Sequence, residues 1–143
     1  MLSHQLNVTI TIPTYWTWGN GSHRPEDVIY DHPTPLSQQG TLARLLESLK
    51  VIEGSKFNVL IITAVTNPQL EEAAEAKVNG ILEPFKCSFP ITQFAASDLA
   101  ILQERLDQLE FPKELINLRG YGNVRNIQLI AAHIIGSRHC GAG

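Results

Sequence analysis

The stretch Asn7-Val8-Thr9-Ile10-Thr11-Ile12-Pro13-Thr14-Tyr15 decides the fold that the sequence predicts. Every residue from Val8 to Ile12 is β-branched, which favours an extended backbone, and Pro13 is expected to end the central strand because it has no N–H to donate. Both faces of this segment could be covered, so we predict an interior strand of a parallel sheet. Ligands of open α/β sheets bind at the carboxyl ends of such strands, which makes Pro13, Thr14 and Tyr15 candidates for a binding site.

The composition favours one domain and argues against several partners. A chain of 143 residues, 43% of them hydrophobic, suits a single α/β domain over residues 1–143. The net charge of −3 gives no electrostatic reason to expect nucleic acid as a partner. Cys87 and Cys140 lie far apart and the first residues lack the charged and apolar regions typical of a signal peptide, so we expect a reduced, cytoplasmic protein. No apolar run approaches the roughly 20 residues of a membrane span.

Helical and extended patterns alternate after the first strand. Residues 42–52 have the apolar spacing of an amphipathic helix, and Phe57–Val65 is a second apolar strand expected beside the first. Asn67 and Pro68 predict the cap and first position of a helix. Residues 85–95 remain open between a short edge strand and a loop, because Pro90 argues against a central strand.

The last third of the chain continues the alternation. Ser97 is expected to cap a helix that ends before Pro112, and residues 115–118 are expected to form a short strand. Residues 123–135 predict a final helix that ends at Gly136. The series predicts a three-layer α/β fold, with a Rossmann-like, mostly parallel sheet and flanking helices.

The region from Trp16 to Pro35 has little periodicity, and long loops of this kind are usually functional or disordered. Its aromatic residues would either pack the loop onto the domain or touch a ligand. Asp31 and His32 could form an acid/base pair, although adjacent residues usually point apart and a structural role is the favoured interpretation.

The segment Gly120-Tyr121-Gly122-Asn123-Val124-Arg125 follows a predicted strand and opens a predicted helix, as a dinucleotide fingerprint does. It departs from that fingerprint because Arg125 replaces the third glycine and no acidic residue follows about 20 positions later. An arginine in the first turn of a helix instead suits a phosphate, and Asn126 could hydrogen-bond backbone or a ligand hydroxyl. Alternatively, Arg125 pairs with a surface carboxylate and Asn126 fixes a loop.

With these segments in hand, the chain resembles the amino-terminal, nucleotide-binding half of a family-2 glycosyltransferase of the GT-A fold. The resemblance rests on the opening strand into Pro13-Thr14-Tyr15, on the helix over residues 41–49, and on Gly122-Asn123-Val124-Arg125-Asn126 running into an apolar helix that reaches Gly136. It implies binding of a nucleotide diphosphate sugar, with Pro13, Thr14 and Tyr15 along the nucleoside pocket and Arg125 and Asn126 near it.

The chain departs from the family pattern at two places. Family members usually carry an acidic residue at the end of the second strand, where this chain has Ala64-Val65-Thr66-Asn67. The strand with the paired aspartates that hold Mg²⁺ or Mn²⁺ should follow Gly136, where this chain has Ser137-Arg138-His139-Cys140. We therefore expect an amino-terminal fragment of a larger glycosyltransferase, inactive alone and without a metal, whose full-length relative uses Mg²⁺ or Mn²⁺ to transfer the sugar.

Two alternatives from other classes stay open. The chain could be a non-catalytic α/β binding domain that forms a homodimer through an exposed sheet edge. It could also be an unrelated doubly wound enzyme that uses Asp31 and His32, in which case the two side chains should converge in a cleft.

Overall fold

The computed structural model describes residues 8–19, 28–52 and 56–141, with side chains up to residue 134. Within these ranges, four parallel strands form one sheet in the order β2-β1-β3-β4, which confirms the α/β prediction. No helix in these ranges has the length and hydrophobicity that crossing a membrane requires. The strands are Val8–Thr17 (β1), Thr34–Pro35 (β2), Phe57–Val65 (β3) and Ile91–Phe94 (β4), and the helices are Leu42–Leu49 (α1), Glu71–Leu82 (α2), Ala96–Gln108 (α3) and Tyr121–Gly141 (α4).

Pro13 does not end the first strand, and that prediction was wrong. The Trp16 carbonyl accepts from the Thr66 N–H at 3.0 Å, on the β3 side, whereas the Thr17 carbonyl accepts from the Leu36 N–H at 3.1 Å, on the β2 side. Alternate residues of a strand direct their backbone groups to opposite edges, so the Pro13 nitrogen faces the same side as Thr17. Because β2 pairs only with Trp16 and Thr17, the proline removes no ladder hydrogen bond.

Helices cover both faces of the sheet and form the three predicted layers. The central strand β3 is buried on both sides, with residues 59–62 at most 1% exposed. α1 and α2 pack on one face, around a cluster that includes Ile12, Trp16, Leu46, Val59, Ile61 and Val78. α3 and α4 pack on the other face, around Leu60, Ile62, Ala64, Val124, Ile127 and Ala131.

The starts of α2 and α3 differ in how well local sequence predicts them. The Asn67 side chain accepts from the Gln69 N–H at 2.9 Å, as expected of a cap, although one 3₁₀ turn precedes the α-helix. Ser97 is not a cap, because α3 already begins at Ala96. The carboxylate of Asp98 accepts from the Ala95 N–H at 2.9 Å and supplies the stabilisation instead.

Residues 115–118 do not form the predicted strand. The side-chain amide of Gln103 donates to the Ile116 carbonyl at 2.8 Å, and the Asn117 side chain accepts from the Arg119 N–H at 2.9 Å. These side chains satisfy backbone groups that a neighbouring strand would otherwise have paired. The segment is therefore an irregular connection that carries the chain towards α4.

α4 extends beyond its predicted end. The helix starts directly after Gly120, whose φ of 89° only glycine adopts easily, and it continues to Gly141. Gly136 does not have the left-handed conformation that would end a helix, so the predicted end at Gly136 was wrong. Residues 137–140 are consequently helical, and no strand follows Gly136 within the described part of the chain.

Candidate functional site

Three tyrosine rings meet near the carboxyl end of the sheet, and we call them the tyrosine cluster. Tyr15 comes from the last third of β1, Tyr30 from the loop before β2, and Tyr121 is the first residue of α4. The ring centroids are 4.4 Å apart for Tyr15 and Tyr30, 5.1 Å for Tyr15 and Tyr121, and 5.0 Å for Tyr30 and Tyr121. These are the separations of favourable aromatic pairs, so the cluster joins three distant segments.

Hydrogen bonds fasten the tyrosine cluster to the start of α4. The buried Tyr30 hydroxyl donates to the Leu118 carbonyl at 3.2 Å and accepts from the Gly120 N–H at 3.1 Å. The Tyr121 hydroxyl accepts from the Asp31 N–H at 2.9 Å. The loop before β2 and the amino-terminal end of α4 are therefore held together by both rings and hydroxyls.

Two arginines act electrostatically on the tyrosine cluster. Burial raises the pKa of Tyr15. Its neighbours Tyr30 and Tyr121 raise this pKa further, whereas the Arg125 guanidinium lowers it. Burial also raises the pKa of Tyr30, whereas the hydrogen bond with the Gly120 backbone and the charge of Arg119 lower it. Arg125 forms no salt bridge with any residue that the structure describes, so a surface carboxylate is not its partner there. The structure thus brings the predicted residues Tyr15 and Arg125 to the same edge.

The other predicted residues have different surroundings. The Thr14 hydroxyl donates to the Ile62 carbonyl and accepts from the Trp16 indole N–H, both at 3.0 Å, on the face of the sheet that α1 and α2 cover. Pro13 is half-buried within β1 rather than at its end. Asn126 is exposed on α4 and lines neither of the two pockets described below. Thr14 therefore has a structural role in the sheet.

A cleft of about 230 Å³ lies along the edge of β1 that has no described partner strand before Trp16, and we call it the edge cleft. It reaches the start of α1, and His32 lines it whereas Asp31 does not. Asp31 instead contributes its backbone N–H to the Tyr121 hydroxyl. The convergence that an Asp31/His32 acid/base pair would require is absent from this cleft. Its walls include Pro13, Thr14, Tyr15, Thr34, Gly40, Thr41, Leu42 and Leu45.

A second pocket, of about 150 Å³, lies at the carboxyl ends of β3 and β4, and we call it the strand-end pocket. Glu71 and Arg119 both line this pocket, and neither forms a salt bridge with a described residue. Glu71 is exposed as a whole, but partial desolvation raises the pKa of its carboxyl. The remaining walls are mainly apolar or small: Thr63, Ala64, Val65, Pro68, Ala95, Ala96, Leu99, Asn117 and Leu118.

The described residues do not fit the Mg²⁺ or Mn²⁺ that the resemblance implies. Among them, no three His, Cys, Asp or Glu side chains are grouped so that they could hold a metal ion. The segment Ser137-Arg138-His139-Cys140, where the family has its metal-binding aspartates, carries no carboxylate and belongs to α4.

Sequence reasoning did not identify that Glu71 and Arg119 line the same pocket, nor that Tyr30 and Tyr121 contact Tyr15. The sequence did contain one indication of Arg119 and Tyr121, because they flank Gly120 in the motif that opens α4. Glu71 gave no signal, because no spacing rule relates the start of α2 to that motif. Comparisons of the chain with protein-family models, curated proteins and solved structures give no match, so the function is inferred from the residues and their geometry.

Proposed function

We propose that this chain is a glycosyltransferase-like domain that binds a nucleotide diphosphate sugar, and that the full-length protein transfers the sugar to an acceptor. The observation that carries the proposal is the junction of β1 with the amino-terminal end of α4, where the rings of Tyr15 and Tyr121 are 5.1 Å apart. The two segments are those on which the resemblance rests, and they lie at the edge where open parallel sheets bind ligands.

The chemistry of this junction suits a nucleoside diphosphate. The tyrosine cluster offers aromatic surface to a base or ribose. The first backbone N–H groups of a helix have no partners within the helix and carry its positive dipole end, so the start of α4 favours an anion such as a diphosphate. Arg125, one turn into α4 and without a salt bridge to a described residue, adds a planar group that can bind two phosphate oxygens.

Calorimetric titration of the 143-residue chain with UDP and GDP, with and without Mn²⁺, tests the proposal. We expect saturable binding of at least one nucleotide, weakened about tenfold or more by Arg125→Ala because a charge-assisted contact is lost. Tyr15→Ala should also weaken binding, since it removes the aromatic surface at the end of β1. Arg44→Ala, which removes an exposed charge from α1 on the opposite face, is the matched control and should bind as the wild type does.

Two results would reject this proposal. One is the failure of both nucleotides to bind to a chain whose circular dichroism and cooperative unfolding indicate a native fold. The other is binding that Arg125→Ala and Arg44→Ala weaken equally, because general charge would then account for the affinity. Circular dichroism of each variant separates lost contacts from lost structure.

A second candidate is self-association through the unpaired edge of β1. Within the described residues, β2 pairs only with Trp16 and Thr17, so the outward N–H groups of Thr9, Thr11 and Tyr15 have no strand beside them. Edge-to-edge pairing predicts a dimer in sedimentation that Thr9→Pro weakens, since proline at this edge removes an outward N–H without touching β3. A monomer at all concentrations would reject this candidate.

A further inference from the structure

The strand-end pocket has the size of a site for one ring. Pockets for drug-sized ligands begin at about 300 Å³, whereas this one holds about 150 Å³. Ala64 and Ala95, both 1% exposed, are among its walls, and their small side chains leave space for a flat group. Leu99 and Leu118 add apolar surface. The pocket therefore suits a planar heterocycle rather than a whole nucleotide.

The two charged side chains that line the pocket are one acceptor group and one donor group. The Glu71 carboxylate accepts hydrogen bonds, and the Arg119 guanidinium donates them. The loop that carries Arg119 is fixed by the bond from its N–H to the Asn117 side chain at 2.9 Å. The Thr63 hydroxyl donates to Gln93 at 2.5 Å and is thus already engaged as a donor. A ligand must consequently offer donors to Glu71 and acceptors to Arg119.

We propose that this pocket receives the base of the nucleotide and that the base is guanine, an inference that rests on the proposed function. Guanine has N–H donors at the adjacent positions N1 and N2, which match the two oxygens of a carboxylate, and acceptors at O6 and N7, which match an arginine fork. Uracil has one N–H between two carbonyls, so the second carboxylate oxygen would face an acceptor. Adenine and cytosine each have a single amino group beside ring acceptors.

The pocket adjoins the site proposed for the rest of the nucleotide. Ala64 on its wall is the register partner of Tyr15 on β1, and neighbouring strands are about 4.8 Å apart. The Leu118 carbonyl, next to Arg119, accepts the hydrogen bond from Tyr30. A base in the strand-end pocket would therefore leave its ribose over the tyrosine cluster and its diphosphate towards the start of α4.

Competition between GDP, IDP and UDP tests the choice of base. IDP differs from GDP by the missing N2 amino group, so it removes one donor of the pair that Glu71 accepts. We expect GDP to bind about 5- to 150-fold more tightly than UDP, the range for one good bidentate contact, with IDP between them. Glu71→Gln should erase the preference of GDP over IDP, because an amide has only one acceptor oxygen. Glu72→Gln, which neutralises an adjacent carboxylate outside the pocket, should retain it.

The outcomes separate this inference from the proposed function. If UDP binds as tightly as GDP, or if Glu71→Gln leaves the GDP-to-IDP ratio unchanged, guanine recognition by this pocket is rejected. Nucleotide binding that still depends on Arg125 would leave the proposed function standing in that case. If none of the three nucleotides binds, both proposals are rejected together.

Discussion

The hydroxyl of Tyr30 should be a principal link between the loop before β2 and the start of α4. Tyr30→Phe deletes this hydroxyl and keeps the ring, which is 4% exposed and packs 4.4 Å from Tyr15. The substitution removes the bond to the Leu118 carbonyl at 3.2 Å and the bond from the Gly120 N–H at 3.1 Å. It therefore tests two hydrogen bonds with little change in packing.

The expected loss follows from the groups left behind. A backbone donor and a backbone acceptor would lose their partner together, and each buried group left unsatisfied costs about 1–3 kcal/mol. Leu118 and Gly120 are only half-buried, so water can partly replace the hydroxyl. We therefore expect Tyr30→Phe to lower the free energy of unfolding by about 1–2 kcal/mol in total.

Urea denaturation of the wild type and the variant measures this difference. Tyr121→Phe is the matched control, since it deletes a hydroxyl from a ring that is 42% exposed and whose partner, the Asp31 N–H, water can satisfy. The control should lie within about 0.5 kcal/mol of the wild type. A Tyr30→Phe variant as stable as the wild type, or less affected than Tyr121→Phe, would refute the reasoning.

Two further predictions concern backbone conformation and pH. Gly120→Ala should lower the free energy of unfolding by about 1–2 kcal/mol, because the φ of 89° is strained for alanine even though its Cβ would meet open space. Gly122→Ala, in the first turn of α4, should instead raise the free energy of unfolding by about 0.5–1 kcal/mol. Equal effects of the two substitutions in thermal unfolding would contradict this prediction. Burial raises the pKa of Tyr15 and Tyr30 above 10.0, so the folded state binds these two protons more tightly than the unfolded state does. The contribution of the two protonated hydroxyls to the free energy of unfolding should therefore be lost as the pH rises through the folded pKa values. Ultraviolet titration of tyrosinate should detect both groups above the transition of the denatured chain, and coincident transitions would contradict the prediction.

The sequence correctly predicts elements that their own residues determine. It does not predict features that depend on which other segments pack beside them. β3 is a continuous apolar run, and Asn67-Pro68 is a helix start by its own chemistry, so both were predicted correctly. The prediction that Pro13 ends β1 was wrong because the sequence does not indicate which edge of β1 lacks a partner strand. Gly136 was misread because a glycine ends a helix only where the chain takes a left-handed turn there.

The candidate site was predictable only in part for a similar reason. Tyr15 and Arg125 follow from the strand-end rule and the helix-start rule, and the structure brings them to one edge, while their role in binding remains a prediction. Glu71 and Arg119 face one pocket only because α2 and the loop before α4 converge at the ends of β3 and β4. Such convergence depends on tertiary packing, which no local pattern in the sequence encodes.

Amide chemical-shift mapping by NMR is the most direct test of the central claim, that a nucleotide binds between the end of β1 and the start of α4. On addition of GDP or UDP, we predict the largest shifts at Tyr15 and at residues 121–125, and none at Arg44 on α1. Shifts confined to the walls of the edge cleft outside β1, such as His32, Thr34 and Thr41, or the absence of shifts with either nucleotide, would contradict the claim.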